Sequence, residues 1–146
     1  MYHHFSTINP SYLISFFISI LDTKTNELVY VNAGHNPPLL VRHDGSLQKL
    51  EGTGLILGIL PIAKYEQQTC LLEPGDVVVL FSDGVTEAMR PDDDEEFGED
   101  RLAQALAELK DESAQSIIEA INQRVFDFTK GAPPADDITL VVAKRL

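Results

Sequence analysis

The sequence predicts an α+β fold in which helices cover a mainly antiparallel sheet. In the first half, short β-branched or aromatic runs alternate with turn sequences at close intervals. In the second half, apolar residues recur at helical spacing, and the chain then closes with the apolar run 138–143 (ITLVVA). This order of hairpins, helices and a returning strand favours the α+β class, with residues 1–146 belonging to a single domain.

The composition indicates a globular protein and excludes several kinds of partner. The 146 residues include 11 basic and 23 acidic side chains, so the formal net charge is −12. Such an acidic surface repels nucleic-acid phosphates and anionic membranes, and neither is an expected partner. The one cysteine, Cys70, cannot form an internal disulfide, which favours a cytoplasmic location. The apolar run 12–21 is about half of a membrane span, so we expect a buried strand there.

Three turn sequences rich in Gly, Pro, Asp or Asn divide the first half of the chain. Asp44 and Gly45 form the strongest of these signals, since Asp-Gly is typical of a two-residue hairpin turn. Neighbouring strands are therefore expected to pair as a meander of antiparallel hairpins. The predicted strands are 12–21, 27–32, 38–42, 47–51, 65–72 and 76–82, with turns at 22–26, 43–46 and 73–75.

Two amphipathic helices are predicted in the second half, with Ser113 as the N-cap of the second. An acidic run at 91–100 precedes them and offers only Phe97 for burial, so it is interpreted as a solvated loop. The final run 138–143 is continuously apolar and is interpreted as a central strand. The helical pattern rests on Leu102, Ala105, Leu106 and Leu109, and then on Ile117, Ile118, Ile121 and Val125.

Carboxylates stand at the ends of two predicted strands. Asp83 follows the apolar run 77–81, whereas Asp136 and Asp137 immediately precede the run 138–143. If these strands are antiparallel neighbours, the carboxylates converge and offer the oxygen ligands that Mg²⁺ or Mn²⁺ prefers. Ser-Asp-Gly is also a common turn, and Asp-Asp before a strand can cap a loop. Taken alone, the two motifs leave a metal site and ordinary turns in a structural domain as alternatives.

Six motifs occur in a fixed order along the chain and bear on the choice between a metal site and ordinary turns. They are residues 32–37 (NAGHNP), 58–61 (GILP), 72–76 (LEPGD), 81–88 (FSDGVTEA), 97–98 (FG) and 136–140 (DDITL). Through this succession the chain resembles the C-terminal part of the bacterial SpoIIE-like and RsbU-like metal-dependent protein phosphatases of the PPM class. That resemblance implies an α-β-β-α sandwich of antiparallel sheets and removal of phosphate from phosphoserine or phosphothreonine on a protein.

The resemblance also implies a cofactor and a role for individual residues. Members of the family use two Mn²⁺ or Mg²⁺ ions, and Asp83 and Asp136 occupy family metal-ligand positions. Asp137, where relatives often have Asn, and Gly84 are expected beside the ligands rather than among them. Implied partners are a phosphorylated regulatory protein of the anti-sigma-factor antagonist type and an upstream sensor or receiver domain.

Three further residues have two interpretations each. His35 is either a proton donor to the leaving serine oxygen or the side chain that ties down its own loop by a hydrogen bond. Thr86 and Glu87 either start a short helix in the segment that relatives use as a regulatory switch or simply cap one. The sequence does not choose between these roles.

One family motif has no match here. Relatives carry a Gly-Asp or Asp-Gly segment near the start of the domain, whose aspartate bridges both ions, whereas residues 1–11 contain no acid. We therefore expect a chain that lacks the N-terminal strands and helices of the domain. Two functions then remain. The chain is either part of a phosphatase, with or without activity of its own, or a non-catalytic binding module. An uncovered apolar face would favour a homodimer or poor solubility.

Overall fold

The computed structural model describes residues 13–52, 54–60 and 62–146 and divides them between two compact units. The first unit draws on the chain up to Pro37 and on Leu50–Leu72, and the second on Pro38–Lys49 and Glu73–Leu146. The expectations for residues 1–11 and for the start of the first strand at Tyr12 lie outside the described residues. The described elements, in chain order, are β1 Phe16–Asp22, β2 Glu27–Ala33, β3 Leu39–Val41, β4 Leu47–Lys49, β5 Gln68–Leu71, β6 Val77–Phe81, α1 Asp83–Thr86, α2 Gly98–Leu109, α3 Ala114–Phe128 and β7 Leu140–Lys144.

The first unit contains a three-stranded antiparallel sheet in the order β1-β2-β5. The predicted hairpin at 22–26 joins β1 to β2, and Asp22 accepts the amides of Lys24 and Thr25 within its turn. These two hydrogen bonds lower the pKa of the Asp22 carboxyl below its usual value. Along β2, Leu28 and Tyr30 are buried and Val29 and Val31 only partly so, as strand alternation predicts.

The second unit contains a four-stranded antiparallel sheet in the order β4-β3-β6-β7. Helices α2 and α3 bury one apolar stripe each, and Ser113 caps α3 as predicted, since its Oγ accepts the Ser116 amide at 3.1 Å. The core of the unit combines alternate residues of the sheet, these two stripes and three residues of α1 and the segment after it: Leu39, Val41, Val77, Val79, Phe81, Val85, Ala88, Phe97, Leu102, Ala105, Leu106, Ile117, Ile121 and Val125.

Three sequence-based predictions about the strands are wrong. β5 and β6 flank the turn at 73–75 but do not pair; they belong to different sheets. β7 lies at the edge of its sheet among the described residues, not at the centre, and its burial alternates along the strand. β1 is a strand, yet its side chains are largely exposed instead of buried. In each case the apolar run correctly predicted a strand, but it did not predict what the strand packs against or pairs with.

The acidic run 91–100 is predicted to be a solvated loop, and this is confirmed only before α2. Residues 98–100 form the start of that helix instead, so the prediction is wrong for them. Phe97 is buried, and residues 92–96 are exposed. Within the described residues, no helix is long and apolar enough to cross a membrane.

Candidate metal site

The pairing of β6 with β7 brings the two predicted metal motifs together. The strands run antiparallel with Phe81 opposite Leu140, so the end of β6 lies beside the start of β7. This confirms the arrangement on which the sequence argument depended. Asp83 begins α1 two residues after β6 ends, and Asp136 and Asp137 lie in the loop that enters β7.

Ser82 joins these two segments by three hydrogen bonds. Its backbone amide donates to the carbonyl oxygen of Thr139 at 3.0 Å, which continues the β6–β7 ladder by one residue. Its hydroxyl donates to the carbonyl oxygen of Asp137 at 2.7 Å and accepts the amide of Thr139 at 2.9 Å. The backbone of Asp137 is thereby fixed against the residue that precedes Asp83.

Gly84 allows the same two segments to approach closely. A Cβ atom at this position would lie 2.5 Å from the carbonyl oxygen of Asp137 and 3.1 Å from that of Asp136. Any side chain would therefore push the loop at 136–137 away, because a Cβ contact under 3.0 Å requires the backbone to shift. The sequence predicted Gly84 beside the candidate ligands, and in the structure Gly84 lies against the backbone of Asp136 and Asp137.

The side chains of Asp83 and Asp136 are exposed, and each carboxylate accepts a hydrogen bond through one of its two oxygens. One oxygen of Asp83 accepts the Gly84 amide at 3.1 Å, and one oxygen of Asp136 accepts the Asp137 amide at 2.7 Å. The other oxygen of each carboxylate has the hard, anionic character that suits Mg²⁺ or Mn²⁺. Mg²⁺ commonly takes one or two carboxylates and keeps several waters, and these two carboxylates are of the kind that it takes. In the part of the chain that the structure describes, no three or more acidic, His or Cys side chains are grouped so that they could hold a metal ion.

Thr86 is the last residue of the short helix α1 and Glu87 is its C-cap, so the two residues do not start a helix and the capping interpretation holds for Glu87. The Thr86 hydroxyl and the Glu87 amide both converge on the carbonyl oxygen of Asp83, at 3.2 and 2.8 Å. They close the single turn that begins with Asp83. Glu87 is exposed, and its carboxylate is on the same short segment as Asp83.

His35 belongs to the first unit, where Asn32 rather than His35 ties down the loop. The buried Asn32 side chain accepts the His35 amide at 2.9 Å and donates to the His35 carbonyl oxygen at 3.0 Å. The His35 ring lies with Nδ1 3.5 Å from the Ser15 hydroxyl. The loop is therefore held through the His35 backbone by Asn32, and the His35 ring contacts Ser15; neither contact tests the proton-donor interpretation.

The Asp44-Gly45 segment forms a hairpin turn, as predicted, between β3 and β4. Asp44 accepts the Ser46 amide at 2.8 Å, and Gly45 has the positive φ of 87° that such a turn requires. Hydrogen bonds from the hydroxyl and amide of Ser46 lower the pKa of Asp44. Its carboxylate therefore stabilises its own turn.

The two sheets and helices match those of PP2C-type phosphatase domains. The SiaA-PP2C domain of Pseudomonas aeruginosa superposes with a TM-score of 0.83 at 19% identity, over 98% of this chain and 57% of that chain. The Mn-presoaked phosphatase domain of SpoIIE from Bacillus subtilis superposes with a TM-score of 0.69 at 21% identity, over 90% of this chain and 56% of that chain. These similarities define the fold as that of the PP2C class.

The particular family follows from the sequence itself. The family model for stage II sporulation protein E (SpoIIE) matches residues 1–146, and the chain belongs to this family. It is also similar to the phosphoserine phosphatase RsbU of Bacillus subtilis, with 32% identity over 146 aligned residues that cover 94% of this chain and 41% of RsbU. The chain spans 15–41% of the length of the curated relatives that it matches.

Proposed function

We propose that this chain forms the C-terminal portion of a protein serine/threonine phosphatase domain that hydrolyses phosphoserine or phosphothreonine. The observation that carries the proposal is the β6–β7 pairing, which places the FSDG and DDIT motifs side by side. Membership of the SpoIIE family and similarity to a phosphoserine phosphatase support the same reaction. The proposed substrate is a phosphorylated regulatory protein of the anti-sigma-factor antagonist type, under the control of a sensor or receiver domain.

In this proposal Asp83 and Asp136 hold a divalent cation, Mn²⁺ or Mg²⁺, at the junction of the two loops. Bound metal ions supply a nucleophilic water at neutral pH and stabilise charge on the phosphoryl oxygens. Asp83 and Asp136 contribute oxygen ligands, and Gly84 leaves room for the loop that carries Asp136. Asp137 helps to orient that loop through its carbonyl oxygen, which the Ser82 hydroxyl binds.

The remaining residues stay predictions within this mechanism. His35 is proposed to donate a proton to the leaving serine oxygen, since histidine is the side chain that most often acts as a general acid or base. Thr86 and Glu87, which close α1, are proposed to transmit regulation to Asp83 because both contact its carbonyl oxygen. Each role requires a test by substitution.

A second candidate function is that of a phosphatase-like binding module without catalysis. The observation that favours it is the size of the ligand set, since the described residues assemble no group of three or more metal-binding side chains. The general two-metal scheme needs ligands for a pair of ions roughly 3.5–4 Å apart. Asp83 and Asp136 alone suit one ion.

The deciding experiment is Mn²⁺-dependent hydrolysis of a phosphoserine protein and of a small aryl phosphate by this chain. Asp83→Asn and Asp136→Asn remove one ligand charge each, while Asp111→Asn is the matched control on an exposed carboxylate in the α2–α3 loop. Activity that both ligand variants lose and the control retains supports the phosphatase. No activity in a sample shown by circular dichroism to be folded favours the binding module.

A further inference from the structure

Ser82 occupies a helix-capping position without capping the helix. It precedes α1 with an extended backbone, at φ −82° and ψ 161°, and its side chain makes no hydrogen bond to that helix. A serine in this place ordinarily accepts the amide of the second or third helical residue. Here both the donor and an acceptor site of the hydroxyl serve the loop before β7 instead, through Asp137 and Thr139.

We propose that Ser82 is a positioning residue that sets the place of Asp136 relative to Asp83. The inference rests on the proposed function, because it assigns Ser82 to the metal site described there. Ser82 is adjacent to Asp83 in the chain, and its hydroxyl binds the carbonyl oxygen of Asp137, which is adjacent to Asp136. One hydroxyl therefore connects the two predicted ligands through their immediate neighbours.

Burial explains why this hydroxyl is needed. Asp136, Asp137 and Ile138 are all exposed, so side-chain packing contributes little to the position of their loop. What holds the loop is polar: the two hydroxyl bonds and the 3.0 Å bond from the Ser82 amide to Thr139. Gly84 permits this approach but cannot enforce it, because it has no side chain with which to attract the loop.

Removing the hydroxyl is expected to loosen the loop without unfolding the chain. In Ser82→Ala the carbonyl oxygen of Asp137 and the amide of Thr139 lose their partner, but water can replace it because both of these residues are exposed. The β6–β7 ladder bond from the Ser82 amide remains. Ser82→Thr keeps a hydroxyl on the same Cβ, and Ser46→Ala is a matched control in the β3–β4 turn.

Two readouts separate positioning from general stability. Hydrogen exchange of the Thr139 amide reports the hydroxyl contact directly and needs no metal. Mn²⁺ affinity, followed through the electron paramagnetic resonance signal of free Mn²⁺, reports the ligand geometry. Mutating a residue that orients metal ligands typically lowers the metal affinity by roughly 10–100-fold. Urea unfolding of each variant shows whether the whole fold has changed.

In Ser82→Ala we expect the Thr139 amide to exchange faster and the Mn²⁺ affinity to fall by roughly tenfold or more. The urea midpoint should stay unchanged. Ser82→Thr is expected to restore both properties, and Ser46→Ala to leave both at wild-type values. Wild-type Mn²⁺ affinity in Ser82→Ala, beside a loss in Asp83→Asn, overturns the role of Ser82 alone. Absence of Mn²⁺ binding by the wild-type chain overturns the metal site and the positioning role together.

Discussion

At the scale of single residues, Asp76 makes the most consequential polar contacts of the second unit. It is 0% exposed, and its carboxylate accepts the Arg42 guanidinium at 2.7 Å and the amides of Glu73 and His43 at 2.8 and 3.1 Å. These contacts join the start of β6 to the end of β3. A buried carboxylate is stabilised by its hydrogen-bond donors. If its charge is removed, those donors lose the acceptor that satisfies them, and the fold loses stability.

Asp76→Asn is therefore expected to lower the free energy of unfolding by about 2–4 kcal/mol. The amide keeps the size of the side chain but loses the charge that Arg42 meets, and it turns one acceptor into a donor facing donors. The measurement is the urea midpoint by circular dichroism. Asp111→Asn, whose side chain is 86% exposed, is the control that should stay near the wild-type midpoint. Equal midpoints for the two variants would contradict the structural role of Asp76.

The sequence identified the charged residues of the candidate site more readily than the neutral ones that support it. Asp83 and Asp136 lie next to apolar runs, and this contrast between charged and apolar residues can be read from the sequence alone. The role of Ser82 depends on contacts with Asp137 and Thr139, which lie far away in the chain. The buried role of Asp76 could have been predicted, since a single acid directly before the apolar run 77–81 needs a polar partner if it is buried with that run.

At the scale of elements, the helices followed from local sequence, whereas strand partners did not. The i, i+3, i+4 spacing and the Ser113 cap are properties of one segment, and both appear in α3. The position of a strand in a sheet is a property of several segments. β7 was expected at the centre and lies at the edge, and β5 and β6 separate into two sheets although a turn joins them.

Helices α2 and α3 are joined on their exposed side by Glu108 and Arg124, whose side chains meet at 2.7 Å. Hydrogen bonds from Arg124 and then Gln104 lower the pKa of Glu108 below its usual value. A lowered pKa in the folded state means that the pair stabilises the fold above the unfolded pKa of about 4.3, and that this contribution is lost as the pH falls through the folded value.

Arg124→Met is accordingly expected to raise the pKa of Glu108, read as its carboxyl carbon titration by nuclear magnetic resonance. Its effect on stability should be seen near neutral pH and should vanish in acid. Lys24→Met, in the turn between β1 and β2, changes the net charge equally and is the control. A Glu108 titration that moves as much in the control as in Arg124→Met would show that net charge, not the pair, sets its pKa.

At the scale of the whole molecule, one apolar sheet face in the first unit contrasts with the acidic character of the chain. Phe16, Ile18 and Ile20 alternate along β1 and are 45%, 48% and 69% exposed, and Leu71 of β5 is 56% exposed. In the paired register Ile18 lies opposite Val31, so the apolar face continues onto β2. Both faces of this sheet are thus apolar, whereas a solvated antiparallel face is ordinarily polar.

An exposed face of this kind favours association, and the net charge of −12 opposes it. We therefore expect the isolated chain to self-associate or to be poorly soluble, increasingly so as salt screens the charge. Replacing Ile18 and Ile20 together by Thr keeps the β-branched shape and removes apolar surface from each copy. Because each buried CH₂ group contributes about 0.8 kcal/mol, this double variant should weaken a dimer by at least about tenfold.

Sedimentation velocity across a range of protein concentrations and salt tests this expectation. Val141→Thr is the matched control, since Val141 is 52% exposed on the edge strand β7 and lies outside the apolar face of β1. If the double variant and the control sediment as the wild type does, the β1 face does not drive association. If only the double variant becomes monomeric, the β1 face is the surface that brings copies together, because net charge is the same in all three proteins.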